Sequence, residues 1–279
     1  RQLLWDPLSV AALNQQPDRA AAKPFIRVLS ALCGLNSSDS AIGIPRKPLD
    51  LLYAEPARRF IEARGGEVWT SSRAQVSIGG NQVISVETAK RSLKPHATIS
   101  AVPWYAIGSV FPGCPEALKS LISAAELTES SPIVTVNLWL DRCVLPKQFV
   151  GLPGRTMHWV FDKGLITGDR DSYVSMVSSG ADLLTKMSNE KIIEIAVSDL
   201  RGAFSEFDWK VMGASVIRER RATFSLAPGQ PSRPGTETNI PELFLAGDWV
   251  ETGLPSTIES AVVSGHRAAE SAYRLMSAA

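Results

Sequence analysis

The residue with the most chemical promise is Asp248. It stands where a strand-length apolar run, Leu243–Ala246 (LFLA), gives way to Gly247. A loop follows and ends in Pro255, Ser256 and Thr257, and a helical run then extends from Thr257 to Met276. Its small residues, Ala261, Gly265, Ala268 and Ala269, allow a sheet or a bound group to approach closely. A helix N-terminus exposes unpaired N–H groups and a partial positive charge. Such an end suits an anion or a polarised carbonyl. Asp248, leaving a strand, could accept hydrogen bonds from sugar-like hydroxyls. Pro255 is expected near the first helical turn, where its missing N–H would be unpaired anyway. The plainer alternative is that Asp248 caps a turn, and that Ala261 and Gly265 serve helix packing alone.

Other reactive residue types give less. The three histidines (His96, His158, His266) form neither HExxH nor a pair at i, i+4, and no metal site is expected. No GxSxG elbow is present, so a hydrolase triad is not expected. Cys33, Cys114 and Cys143 are odd in number and far apart, which points to a reducing compartment rather than a disulfide scaffold. His158, in MHWVF, either lines a substrate cavity or faces solvent. Among seven tryptophans, Trp5, Trp104 and Trp139 are candidate walls of an apolar pocket or members of the core. Arg218, Arg220 and Arg221 alternate with Glu219. They read as a solvated strand edge, with contact to a cofactor or redox partner as the alternative. No side chain declares itself as a catalytic acid.

The elements that must hold these residues follow from periodicity. Trp5, Leu8, Val10 and Leu13 form an apolar helical start, and a second helical run extends from Pro17-Asp18 to Leu32, stopped by Cys33-Gly34. Ala57–Arg64 is a short helix. Val68–Ser71, Gln75–Ile78 and Gln82–Thr88 read as strands, with Gly79-Gly80-Asn81 as a hairpin turn. His96–Val102 is predicted as a strand inside a sheet. Glu116–Ala125 is predicted as a helix. Ile133–Leu140, Met157–Phe161, Tyr173–Ser178 and Trp209–Ile217 suggest a second, mostly antiparallel sheet. Asn189–Phe207 is the clearest amphipathic helix, with Ser188 as N-cap and Ile193, Val197, Leu200, Phe204 and Phe207 on one face. Ala227–Asn239 is a polar surface connection.

A length of 279 residues suggests about two domains. Hydrophobic residues at 44% and charged residues at 20% fit an ordered globular chain. The net charge of +1 leaves no basic excess to attract nucleic acid or an anionic membrane. No apolar stretch reaches membrane-spanning length. The chain opens RQLLWDPL, without Met, so a preceding segment is expected.

The strand–AGDW–loop–TGLPSTIESAVVSG–helix order resembles the C-terminal FAD motif of the phytoene desaturase and flavin amine oxidase superfamily. LWDPLSVAALN, EPARRFIEARGGEV, ISAVPWYAI and VIRERRATFSLAPGQPSRPGT resemble one branch of it, the squalene-associated FAD-dependent desaturases, or hydroxysqualene dehydroxylases. The resemblance covers most of the chain. It implies an α/β fold: a glutathione-reductase-like FAD-binding domain, here incomplete, with a mixed α+β substrate domain. The implied FAD segments are 46–103 and 239–279, and the implied substrate segments are 1–45 and 104–238. Asp248, flanked by Gly247 and Trp249, matches the aspartate on the flavin's ribityl chain. Ser256, Thr257 and Ile258 match the helix start that faces the flavin N1/C2=O edge. Ala101, Val102 and Pro103 match a strand end beside FAD, and Ala74 lies near the adenine position, although the hydrophobic residue usual there is absent. The implied activity is reductive dehydroxylation of hydroxysqualene, a C30 isoprenoid, in hopanoid biosynthesis. Carotenoid-type desaturation, amine oxidation, or a non-catalytic lipid-binding remnant are the alternatives. The expected location is cytoplasmic, with peripheral membrane association to reach lipid. One departure stands out: no GxGxxG occurs in the chain, so the pyrophosphate cradle of the family is absent from these residues.

Overall fold

The computed structural model describes residues 1–34, 36–168, 172–206 and 208–278, and for Ser37 the backbone only. In chain order the first elements are helices α1 (Trp5–Leu13), α2 (Ala22–Leu32) and α3 (Glu55–Glu62). Strands β1 (Ala74–Gly79), β2 (Gln82–Thr88), β3 (Ser92–Leu93) and β4 (Thr98–Ser100) come next, then helices α4 (Ile107–Val110) and α5 (Lys119–Leu127). Strands β5 (Ser130–Leu140), β6 (Phe149–Gly151) and β7 (Trp159–Asp162) are followed by α6 (Lys163–Thr167) and β8 (Tyr173–Ser179). The chain ends with α7 (Asn189–Ala203), β9 (Val211–Phe224), β10 (Leu243–Leu245) and α8 (Ile258–Ala278). This is the α/β mix expected from the sequence.

Two compact units emerge. One comprises residues 1–20, 31–68 and 130–223; the other comprises 21–30, 69–129 and 224–279.

The first unit is built on a five-stranded sheet of order β6-β7-β8-β5-β9. The β6–β7, β7–β8 and β8–β5 pairs are antiparallel, as short alternating strands favour. Val134, Val136 and Leu138 of β5 are fully buried and share a cluster with Ile192, Ala196 and Leu200 of α7. Ser188 caps α7, accepting from the Lys191 N–H at 3.3 Å. The stripe on α7 is displaced from the predicted one. Ile192, Ala196 and Leu200 are buried, while Ile193, Val197 and Phe204 pack only at the margin. Phe207 lies outside the described residues.

The second unit holds an antiparallel β1–β2–β3 sheet and a separate parallel pair, β4–β10. The β1–β2 hairpin turns at Gly80-Asn81, where Gly80 has φ +60. Val68–Ser71 forms no strand. Ser71 takes φ +52, a left-handed conformation that ends extended structure. The strand expected over His96–Val102 is confined to Thr98–Ser100, the length over which β10 can pair with it. β9 instead runs past Ile217 to Phe224, so Arg218–Arg221 lie within a strand.

Candidate functional site

The site grows from the parallel pair. Leu243, Phe244 and Leu245 align with Thr98, Ile99 and Ser100. All three β10 residues are buried, and Phe244 packs on Ala268 and Ala272 of α8. Because the strands are parallel and in step, both leave the sheet at the same end. Ala101-Val102-Pro103 and Gly247-Asp248-Trp249 therefore emerge side by side. The Trp249 indole N–H donates to the Val102 carbonyl at 2.9 Å and ties the two together.

Gly247 adopts φ +123, a backbone region that side chains rarely enter. A Cβ there would lie 3.1 Å from Trp249 Cδ1. Its N–H donates to Ser264 Oγ at 2.9 Å, and the Ser264 hydroxyl donates to the Gly247 carbonyl at 2.8 Å. Ser260 Oγ likewise donates to the Asp248 carbonyl at 3.0 Å. Small hydroxyl residues on α8 thus replace apolar contact with a direct grip on the loop backbone. The Ser256 hydroxyl donates to the Asp248 carboxylate.

Thr257 is the N-cap of α8: its hydroxyl accepts from the Ser260 N–H at 3.1 Å. Pro255 lies three residues before Ile258, the first residue of α8, and the Thr257 cap sets the start. The N–H groups of Ile258 and Glu259 have no acceptor among the described residues. They lie at the N-terminal end of a 21-residue helix, with its partial positive charge.

One residue that organises the site was not singled out by sequence reasoning. Arg233 forms a two-pronged pair with Glu251, Nε to Oε2 and Nη2 to Oε1 both at 2.9 Å, and donates from Nη1 to the Leu254 carbonyl at 2.8 Å. Its guanidinium lies 5.2 Å from the Phe224 ring centroid. Glu251 also accepts from the Gly253 N–H at 2.6 Å. Arg233 therefore fixes the loop between Asp248 and α8. Burial alone would push the Glu251 carboxyl upward, but the Arg233 bonds and charge outweigh it and hold it below the ordinary value. The only sequence signal was its place in SRPGT, within a stretch read as a polar connection. A cavity of about 470 Å³ in this unit is walled by Leu121, Phe224, Leu245 and Trp249, with Arg233 and Glu251 at its polar edge.

The remaining candidates are dispersed. Ala74 opens β1 on the antiparallel sheet and is exposed. Trp104 is 3% exposed and packs edge-on to Phe224, within the core of the second unit. Trp5 and Trp139 belong to the first unit and are 50% and 40% exposed. His158 also belongs there. It lines a cavity of about 380 Å³ together with Asp6, Asp18 and Arg155. Its Nδ1 accepts from the Ser179 N–H at 3.1 Å, and burial lowers its pKa despite the opposing charge of Asp199. Neither Trp5 nor Trp139 lines that cavity. Among the described residues, no group of metal-ligating side chains gathers, and no helix is long and apolar enough to cross a membrane.

Chemically, the second unit offers an acceptor (Asp248), N–H donors at Ile258 and Glu259 without an acceptor among the described residues, and a tight glycine turn, in the segment that follows the carboxyl end of β10. Among the described residues, Thr98 Oγ1 and Ser100 Oγ on β4 are buried without a hydrogen-bond partner. Ser100 stands opposite Leu245, at the turn end of the strand, and an orphaned hydroxyl there fits a bound polar group. Loops at the carboxyl ends of parallel strands are where α/β domains bind nucleotide cofactors.

The chain belongs to the flavin-containing amine oxidoreductase family, whose pattern matches residues 9–272. Hydroxysqualene dehydroxylase of Sinorhizobium fredii (strain NBRC 101917 / NGR234) is 30% identical over 269 residues, covering 95% of this chain and 60% of that protein. The hydroxysqualene dehydroxylase of Zymomonas mobilis subsp. mobilis (strain ATCC 31821 / ZM4 / CP4) is 30% identical over 276 residues, covering 96% of this chain and 61% of that protein. This chain thus spans about three fifths of the length of these curated relatives. The crystal structure of an oxidoreductase from Methanosarcina mazei superposes with a TM-score of 0.76 at 16% identity, covering 95% of this chain and 63% of that one. At that identity the likeness concerns the fold.

Proposed function

We propose that this chain carries the flavin-ring side and the substrate domain of an FAD-dependent oxidoreductase that removes the hydroxyl of hydroxysqualene to give squalene. The observation that carries the reading is the juxtaposition of Ala101–Pro103 with Gly247–Trp249 at the carboxyl ends of β4 and β10, ahead of the α8 N-terminus. The 30% identity to hydroxysqualene dehydroxylases supports the substrate.

In this proposal Asp248 accepts hydrogen bonds from the ribityl hydroxyls, and Ser256 keeps its carboxylate oriented. The α8 start, from Ser256 to Ile258, offers N–H groups to the N1/C2=O edge of the ring and favours negative charge there. Val102 and its neighbours form a second wall. Reduced FAD, when bound, would supply a hydride to the allylic carbon as the C–O bond breaks and the hydroxyl, taking a proton, leaves as water. The chain's own part is to position, to exclude water and to present apolar surface to the isoprenoid. The pyrophosphate cradle is not among these residues.

The glutathione-reductase-like description belongs to the same proposal. The flavin segments 46–103 and 239–279 are supported where they supply the parallel pair. A C30 substrate partitions into lipid, so the proposed setting is cytoplasmic, with peripheral association at the inner membrane face.

The test is product analysis. The gene in its full natural length, expressed with a hydroxysqualene supply, should yield squalene. Accumulated hydroxysqualene, or a more desaturated product, would reject dehydroxylation.

A further inference from the structure

The five-stranded sheet of the first unit has two unlike faces, because side chains alternate along each strand and residues paired across strands share a face. One face is buried against α7. On the other, Trp139 lies opposite Tyr173, and their rings stack with centroids 5.0 Å apart and planes 8° apart. The next row begins at Asn137, opposite Ser175. It continues through Phe161 and Phe149, whose rings stack with centroids 6.0 Å apart.

Within this aromatic face sits one polar cluster. Ser175 Oγ donates to Asn137 Oδ1 at 2.7 Å, and Asn137 Nδ2 donates to Ser215 Oγ at 3.3 Å. Asn137 is only 7% exposed. A primary amide has two N–H donors, and a hydroxyl has one O–H. The second Asn137 N–H and the Ser215 O–H have no acceptor among the described residues. Asn137 is buried and Ser215 half-buried, and donors left over on an otherwise apolar face suit an acceptor brought by a ligand.

We infer that Asn137 and Ser215 hold the oxygen of the substrate alcohol, while its unsaturated chain lies along the aromatic rows. This rests on the hydroxysqualene reading. A long isoprenoid alcohol is the chemical complement of the face: extended apolar surface with a single oxygen that accepts hydrogen bonds. Asn137 and Ser215 are positioning residues here. They orient the C–O bond, and neither is acidic enough to supply the departing proton.

The test is direct binding to the whole chain, followed by tryptophan fluorescence, since Trp139 and Trp159 lie on this face. Hydroxysqualene and squalene are titrated in the same detergent micelles. Wild type should bind the alcohol about tenfold more tightly than the hydrocarbon, the worth of one well-made hydrogen bond. Ser215→Ala should erase that preference while leaving squalene binding unchanged, and Ser215→Thr should restore it. Trp139→Ala should weaken both lipids alike. A Ser215→Ala variant that keeps the preference, or a wild type that binds both lipids equally, overturns the inference but leaves the substrate reading standing. A wild type that binds neither lipid overturns both.

Discussion

The Trp249 indole N–H reaches the Val102 carbonyl across 147 positions of sequence at 2.9 Å. That bond joins the loops leaving two parallel strands, and Trp249 is 4% exposed, so water does not replace it cheaply. Trp249→Phe keeps most of the apolar volume and removes only the donor. The carbonyl of half-buried Val102 then loses its partner, at a cost of about 1 kcal/mol. The expected result is a melting temperature lower by roughly 2–4 °C for each kcal/mol lost, together with weaker flavin retention. An unchanged melting curve would show that the bond holds nothing in place.

Gly247→Ala tests the turn itself. At φ +123 a side chain is strained, and the added methyl would press on Trp249. Strain of this kind costs on the order of 1–3 kcal/mol. Gly265→Ala, where a Cβ would meet nothing within 4 Å, is the matched control. It should be neutral or stabilising, because alanine is the better helix residue. Equal melting temperatures for the two variants would contradict the role given to Gly247.

Arg233→Gln should loosen the loop between Glu251 and Leu254. The expected cost is about 1 kcal/mol, because the Glu251 side chain is 53% exposed and screening weakens the pair. The sign with pH is fixed by the lowered Glu251 pKa. Its contribution is present above the ordinary value of 4.5 and is lost as pH falls through the depressed one. The variant should therefore show a shallower loss of stability in acid than wild type. Parallel acid titrations of the melting temperature would count against the pairing.

These three residues also show what the sequence made legible. Gly247, Trp249 and the α8 start lie in one local strand–loop–helix run, so their spacing marked them. The partner of Trp249 came only through resemblance, since a parallel pair 147 residues apart leaves no periodic trace. Arg233 escaped notice because the composition of Ala227–Asn239 marks an exposed connection, whereas its partner Glu251 is fixed by tertiary folding. The alternation of Ile133–Leu140 separated two faces correctly. It did not say which face α7 would cover, and that choice sets Asn137 and Trp139 apart from the core. The shift from Ile193 to Ile192 as the centre of the α7 stripe has the same origin: several apolar residues compete for one face, and packing on β5 decides among them.

His158 supplies a test of the first unit alone. Its folded pKa is lowered by burial, so the unfolded chain binds the proton more readily. Stability should be full above the ordinary value of 6.5 and fall as pH drops below it toward the depressed value. His158→Asn keeps an acceptor near the Ser179 N–H and removes the titration. Melting temperatures taken between neutral and mildly acidic pH should fall less for the variant than for wild type. Identical slopes would place the pH dependence elsewhere.

The central claim is that the loops at the ends of β4 and β10, with the α8 N-terminus, receive the flavin ring. Its most direct test is an FAD titration of the protein purified in its full natural length, read by the visible flavin spectrum and by quenching of flavin fluorescence, in wild type and Asp248→Ala. The account predicts a shifted, structured spectrum and saturable quenching for wild type, with markedly weaker binding for the variant. A wild-type spectrum identical to that of free FAD, or equal binding by both proteins, would contradict it.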